Sequence, residues 1–204
     1  LARMPRIDVQ IPIGSLPRYR RPTLAHFPPH AGYLVPDPER LARWRQRLAC
    51  LGPGLTVGIA WRSRLLTARR RASYTSLTQW GPLLTLPGIH WINLQYDDCA
   101  CELEEARQRW DTTIHTWEDI DLFNDLDGVA ALIAALDLVI VPETAVTALA
   151  GGIGQPGWQF SLYNGKWDAL GTEASPWFPS MRVFRQPRPG DWQSVMQCVA
   201  TELA

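Results

Sequence analysis

The first strong pattern along the chain is helical. Apolar residues recur at intervals of three and four over residues 37–52, and a Gly-Pro pair then interrupts the pattern. The apolar positions are Leu41, Trp44, Leu48 and Leu51. Such spacing predicts an amphipathic helix that ends at Gly52. We expect one domain to begin here and to occupy residues 36–204.

Short, nearly all-apolar runs predict the strands. These runs are residues 55–61, 89–95, 138–142, 157–162 and 181–185, with a shorter candidate at 113–117. Helical patterns lie at residues 76–86, 101–110, 127–137 and 191–203. Buried strands that alternate with helices are typical of a parallel sheet covered on both faces. The pattern therefore predicts an α/β fold, a Rossmann-like parallel sheet with helices on both faces.

Residues 1–35 differ from this pattern. An alternating run at 7–13, Ile-Asp-Val-Gln-Ile-Pro-Ile, predicts a short strand. The stretch after it is dense in Pro, Gly and Arg, which favours irregular structure. We expect residues 1–35 to be a connecting arm or the remnant of a preceding lobe. Because the chain begins at Leu1 with a Pro- and Arg-rich lead, we expect it to be a piece of a longer protein, with a lobe or repeats upstream.

The charge balance narrows the classes of partner. The 204 residues contain 20 Lys and Arg against 20 Asp and Glu, so the formal net charge is +0. No overall field favours nucleic acid or an anionic membrane, and any anion must be bound by local groups. No apolar run reaches the length of a membrane span, and the first residues lack the pattern of a signal peptide. We therefore expect a cytoplasmic protein.

Cysteine and histidine spacing predicts neither a disulfide scaffold nor a metal site. The residues concerned are Cys50, Cys99, Cys101, Cys198, His26, His30, His90 and His115. The cysteines are too few and too unevenly placed for a disulfide framework, and Cys99 and Cys101 have no second pair at zinc spacing. We expect four free thiols, no metal and a structural role for His90.

Residues 137–156, Asp-Leu-Val-Ile-Val-Pro-Glu-Thr-Ala-Val-Thr-Ala-Leu-Ala-Gly-Gly-Ile-Gly-Gln-Pro, suggest a ligand site. In parallel sheets, ligands bind beyond the carboxyl ends of the strands. A helix that begins after the strand, with Thr144 as its N-cap, would present free amide groups there to a phosphate. Small residues would let a ligand approach the backbone. An equally open interpretation is that they serve tight packing of this helix against the sheet.

Several segments, in this order, resemble the C-terminal half of bacterial tetratricopeptide-repeat-linked glycosyltransferases. They are Val-Gly-Ile-Ala-Trp-Arg-Ser at 57–63, Ile-Asn-Leu-Gln-Tyr-Asp-Asp at 92–98, and the longer stretches 125–158 and 175–195. That family is similar to the ADP-heptose heptosyltransferases and, more distantly, to the protein O-GlcNAc transferases. The resemblance implies the C-terminal half of a GT-B fold, in which a nucleotide-sugar donor binds without a metal or a further cofactor.

The resemblance also implies which residues face the donor. The helix after Pro142 would receive the diphosphate, and the loop after the first strand would supply a cation from Arg62 or from the run Arg69, Arg70 and Arg71. Residues at the end of the next strand would contact the base or ribose. The candidate binding residues are Arg62, Arg71, Gln95, Tyr96, Glu143, Thr144, Ala145 and Val146. For the arginine run, a solvated surface loop is the competing interpretation.

Three positions depart from the family pattern. Glu143 stands where relatives have an aspartate, which keeps the charge on a longer side chain. Ala148 stands where relatives have a histidine, and Ser73 stands where they tend to have an arginine. Loss of one charge-assisted contact to a phosphate would cost about 1.5 to 3 kcal/mol of binding. No catalytic base can be named; His26 in the arm is a weak candidate.

These observations leave two main hypotheses. The first is the donor-binding lobe of a glycosyltransferase that moves a sugar from a nucleotide-sugar to a protein or glycan. The alternative is a non-catalytic, GT-B-derived interaction module whose donor site has decayed. Its anchors would come from tryptophans such as Trp158, Trp167, Trp177 and Trp192, which could equally fill the core. A dehydrogenase is disfavoured because no glycine fingerprint follows the first strand.

Overall fold

A single sheet organises the residues that the computed structural model describes, which are 7–164 and 174–204. Its strands are β1 (Leu55–Ile59), β2 (Ile89–Asn93), β3 (Ile114–His115), β4 (Leu138–Pro142), β5 (Gly157–Ser161), β6 (Ala174–Ser175) and β7 (Phe178–Arg185). Their order in the sheet is β3-β2-β1-β4-β5-β7-β6. Every neighbouring pair is parallel except β6 and β7, which form an antiparallel edge.

Helices cover both faces of the sheet. They are α1 (Pro17–Arg20), α2 (Pro38–Ala49), α3 (Ala68–Arg71), α4 (Gly81–Leu84), α5 (Ala100–Trp110), α6 (Leu126–Ala135), α7 (Ala145–Ile153) and α8 (Trp192–Leu203). Buried residues of α2, α6 and α7 form one core cluster with the sheet, and those of α4, α5 and α8 form the other. The predicted α/β fold, a Rossmann-like parallel sheet with helices on both faces, is confirmed.

Side-chain caps fix where several helices begin. Asp37 accepts a hydrogen bond from the amide of Arg40 (2.8 Å), and Asp125 accepts one from the amide of Gly128 (3.0 Å). Asp191 does the same for Ser194 at the start of α8 (3.1 Å). Each carboxylate satisfies an amide that has no acceptor within its helix.

The structure corrects the sequence prediction in three places. Residues 7–12 form no strand, and residues Ile13–Ser15 form a 3-10 turn instead, because this run has no neighbouring strand to pair with among the described residues. The helix predicted at 76–86 is a 3-10 helix (Leu77–Trp80) followed by the short α4, with Pro82 in its first turn. The last strand begins at Phe178 rather than at Met181, because it folds back as a hairpin onto β6.

The large aromatic residues mostly fill the two cores. Trp61, Trp80 and Trp91 are fully buried, and Trp192, the first residue of α8, is also buried. Trp158 packs at the margin of the same core, Trp177 contacts the arm, and Trp167 lies outside the described residues. Of the four tryptophans considered as partner anchors, the described ones therefore have contacts within the chain. Among the described helices, none is long and apolar enough to cross a membrane.

Candidate functional site

The carboxyl edge of the sheet carries two adjoining cavities. β1 continues toward β2 on one side, whereas β4, its neighbour in the sheet, continues toward β5 on the other. Such a reversal of strand order opens a crevice beyond the strand ends. One of these cavities has a volume near 600 Å³, and the other has a volume near 210 Å³. Glu143, directly after β4, borders both of them.

The larger of these two cavities, near 600 Å³, lies between the loop after β1 and the end of β5. Its lining residues are Leu65, Thr67, Arg70, Ser73, Tyr74, Glu143, Phe160, Ser161 and Leu162. The sequence interpretation missed Thr67, Tyr74 and Ser161. The only sequence signal for these three residues is their position at the end of a strand or in the loop that follows it. The guanidinium of Arg70 gives this cavity a cation.

The smaller cavity, near 210 Å³, lies over the start of α7. It is lined by Glu143, Thr144, Thr147, Ala148, Gln159, Ser175, Phe178 and Val183. Its outer wall is the β6–β7 hairpin, which contributes Ser175 and Phe178. Ala148 places a methyl group in this wall. The hydroxyl and amide groups around it can form hydrogen bonds with a polar ligand.

Thr144 and Thr147 shape the start of α7. Thr144 is the N-cap and stands opposite Thr147 in a capping-box arrangement, but its own hydroxyl is buried and donates no hydrogen bond within the described chain. The hydroxyl of Thr147 instead accepts from the amide of Thr144 (3.4 Å) and donates to the carbonyl of Pro142 (2.5 Å). The first amides of α7, those of Ala145 and Val146, have no acceptor within the helix. The Val146 side chain is buried in the core, so only its backbone can serve a ligand.

The small residues of α7 serve mainly packing at its far end. A Cβ at Gly151 would collide with the ring of Phe178, and one at Gly154 would collide with the carbonyl oxygen of Ala31. Gly154 also has φ +84°, which suits glycine. The interpretation of tight packing thus accounts for these glycines, whereas the cavity lies at the other end of the helix.

Arg62 lies at the end of β1, but its guanidinium is already paired. It forms ion pairs with Asp97 and Glu102, and only 13% of its side chain is exposed. Burial opposes its charge, yet the hydrogen bond to Asp97 and the charge of Glu102 outweigh that effect and raise its pKa. Arg62 lines neither cavity. The structure therefore places Arg62 in a buried ion-pair cluster rather than at the crevice.

Gln95 joins this cluster through its side-chain amide. Its oxygen accepts from the amides of Trp61 (3.0 Å) and Arg62 (3.2 Å), and its nitrogen donates to the carbonyl of Arg62 (3.0 Å) and to Asp97 (2.6 Å). Tyr96 donates to the hydroxyl of Ser63 (3.2 Å). Neither Gln95 nor Tyr96 borders the two cavities.

Of the arginine run, Arg70 faces the larger cavity. Arg71 is exposed and borders neither cavity, and the side chain of Arg69 lies outside the described residues. The loop that carries them is closed at its base, because the amide and hydroxyl of Thr75 both donate to the carbonyl of Trp61 (3.1 and 3.2 Å). Arg70 is therefore presented from a loop whose two ends meet at Trp61.

The remaining titratable candidates lie away from the crevice. His26 is exposed in the arm, hydrogen-bonded to Thr23 (2.7 Å), and borders neither cavity. His90 contacts the carbonyl of Pro53 (3.2 Å), in keeping with a structural role. All four cysteines are free thiols. The described residues contain no group of three His, Cys, Asp or Glu side chains that could hold a metal.

Comparisons with known proteins support the fold. No family model matches the chain. Protein FlbA of Caulobacter vibrioides is 42% identical over 198 residues, which cover 97% of this chain but 33% of FlbA, so the chain spans about a third of that relative. Among solved structures, the glycosyl transferase family 9 protein of Veillonella parvula superimposes with a TM-score of 0.57 at 10% identity, over 78% of this chain and 44% of that one. The chain thus has a glycosyltransferase-like fold.

Proposed function

We propose that the chain binds a nucleoside diphosphate-sugar in the crevice beyond β1, β4 and β5, and that it is the donor-binding lobe of a glycosyltransferase acting on a protein or glycan. The observation that carries the proposal is the pair of cavities that meet at Glu143, over the start of α7. A cavity near 600 Å³ lies within the range of about 300 to 1,000 Å³ usual for small-ligand sites.

The start of α7 suits the pyrophosphate. The amides of Ala145 and Val146 carry the partial positive charge of a helix start, which favours an anion. The hydroxyl of Thr144 donates no hydrogen bond within the described chain, and a rotation of this side chain would direct it to a phosphate oxygen. Arg70, across the larger cavity, adds a full positive charge.

The same groups suit the departure of the nucleoside diphosphate. When the bond between the sugar and the diphosphate breaks, negative charge grows on the phosphate oxygens. A guanidinium and helix amides held in place before the reaction can stabilise that charge. Glu143 would repel a diphosphate at close range, so we assign it to a hydroxyl of the sugar or ribose.

The rest of a glycosyltransferase would come from elsewhere in a longer protein. FlbA is about three times the length of the matched region, and the family 9 structure also extends beyond it. We assign the acceptor site and the catalytic base to such a further lobe, or to repeats. The neutral charge balance supports a donor and an acceptor, rather than nucleic acid, as partners.

Two observations favour the alternative, a non-catalytic interaction module. The guanidinium of Arg62, at the end of β1, is already paired with Asp97 and Glu102. Ala148 has no hydrogen-bonding side chain at the position where the resemblance implies a histidine. Both features reduce donor affinity. Neither feature affects the amides at the start of α7 or the guanidinium of Arg70. We therefore propose donor binding ahead of the interaction module.

Isothermal titration with UDP, GDP and ADP tests the proposal. We expect one of them to bind, and we expect R70A to weaken its binding about 10- to 100-fold, the loss of one charge-assisted contact. The matched control R71A removes the neighbouring charge outside the cavities and should retain affinity. No binding by any of the three favours the interaction module. Equal losses in R70A and R71A would show that the loop acts only by its overall charge.

A further inference from the structure

The arm packs against the wall of the candidate site. Residues 27–34, here called the strap, run along the far end of α7 and reach the β6–β7 hairpin. The amides of Tyr33 and Leu34 both donate to the carbonyl of Gly152 (2.6 and 2.8 Å). Gly152 and Gly154 leave room for the strap, because a Cβ on either would contact Leu34 or Ala31.

The strap holds the hairpin at Trp177. The ring of Phe27 meets the ring of Trp177 edge-on, with centroids 4.8 Å apart. The amide of Gly32 donates to Nδ1 of His30 (3.2 Å), so the proton of the neutral ring is on Nε2. Nε2 then donates to the carbonyl oxygen of Trp177 (3.2 Å). Two contacts of different kinds thus fix one residue of the hairpin.

Trp177 lies between the two hairpin residues that line the smaller cavity, Ser175 and Phe178. Phe178 also rests on Gly151 of α7. Displacement of Trp177 therefore moves the outer wall of the cavity relative to the start of α7. We infer that Phe27 and His30 are positioning residues, through which the strap sets the geometry of the nucleotide-sugar pocket. The effect on ligand binding rests on the proposed function, whereas the effect on the wall does not.

Hydrogen–deuterium exchange tests the effect on the wall without any ligand. In F27A and H30A, we expect the amides of Ser175, Trp177 and Phe178 to exchange at least about 10-fold faster, while the amides of β1 keep their protection. The controls Y19A and H26A remove an aromatic ring and an imidazole from the arm, but neither residue contacts Trp177. H30Q should restore protection, since its amide can donate to Trp177 and accept from Gly32. Unchanged exchange in both F27A and H30A would overturn the inference.

Binding of UDP, GDP and ADP then tests the effect on the site. For whichever of these the wild type binds, we expect F27A and H30A to weaken affinity several-fold, mainly through faster dissociation, and H30Q to recover it. Faster exchange with unchanged affinity would refute the positioning role, although the strap would still hold the hairpin. If the wild type binds none of the three, the proposed function fails, and the exchange measurement still decides whether the strap holds the wall.

Discussion

Polar groups at the carboxyl edge of the sheet have different partners in its two halves. We call the half beyond β1 and β2 the closed half, and the half beyond β4 and β5 the open half. Beyond β1 and β2, Arg62, Gln95, Asp97 and Glu102 bind one another, and Trp61 donates its indole N–H to Glu102 (2.9 Å). Beyond β4 and β5, polar groups border open cavities, and the hydroxyl of Thr144 has no partner within the described residues. A charged residue at a strand end therefore indicates a ligand site only where the chain itself does not use the charge.

The largest effect we expect is the loss of stability on breaking the closed half. R62A leaves Asp97 and Glu102 without their partly buried cation, which should lower the free energy of unfolding by about 2 to 4 kcal/mol, between the values for exposed and fully buried ion pairs. Urea denaturation measures this change. The control R107A removes an exposed ion pair with Glu104 and should have a much smaller effect. A stable R62A protein that no longer binds the nucleotide would reverse the comparison and make Arg62 a ligand.

Thiol reactivity separates the two halves next. Cys99 lies in the closed half, where burial raises the pKa of its thiol to about 11 from an ordinary value of 9.0. The reactive thiolate is then reduced about 100-fold near pH 8, before access is considered. We expect a maleimide to label Cys50, Cys101 and Cys198 first, and Cys99 only on unfolding. S73C should place a reactive thiol in the open half, and a bound nucleotide should protect it. Rapid labelling of native Cys99 would show that the closed half opens.

A smaller effect concerns the packing of the arm on the open half. Gly154 and Gly190 have nearly equal φ angles, +84° and +83°, but a Cβ would meet Ala31 only at Gly154. G190A should cost about 1 kcal/mol through backbone strain alone. G154A should cost about 1 to 3 kcal/mol more, because the strap must shift. Thermal unfolding of both variants gives the difference. Equal losses would mean that the strap does not rest on α7.

The smallest effect is a pH dependence at the far edge of the closed half. Burial and the nearby His90 lower the pKa of His115. Below about pH 6.5, the ordinary value for histidine, the unfolded chain then binds a proton that the folded chain does not. Stability should therefore fall as the pH drops from about 6.5 toward the lowered pKa of His115. H115F should flatten this slope in denaturation curves measured between pH 7 and 5; an unchanged slope would contradict the assignment.

The sequence was sufficient to predict most strands and long helices. The apolar runs that contain Leu55–Ile59 and Leu138–Pro142 are short, and the periodic pattern of α2 ends at a clear Gly-Pro stop. These patterns are local, so the elements can be predicted without knowing which other elements they pack against. The strand predicted from the alternating run at 7–13 was wrong. A strand also needs a neighbouring strand to pair with, and the local sequence does not show whether one is present.

The site was less predictable for the same physical reason. The position of the helix start at Thr144 follows from the strand before it, and a cavity does lie there. The pairing of Arg62 depends on Asp97 and Glu102, which are 35 and 40 residues away in sequence. Glycine is needed at two positions near the end of α7 because Ala31 and Phe178 pack against them. Whether Arg70 or Arg71 faces the larger cavity depends on the orientation of α3.

The central claim is that the open half, and not the closed half, binds a diphosphate. Titration of the isotopically labelled chain with UDP, GDP and ADP, followed by amide resonances in nuclear magnetic resonance spectra, tests it most directly. We expect one nucleotide to shift the amide resonances of Ala145, Val146 and Ser73 strongly and to leave those of Gln95 and Asp97 unchanged. Shifts centred on Gln95 and Asp97, or no shift with any of the three at millimolar concentration, would contradict it.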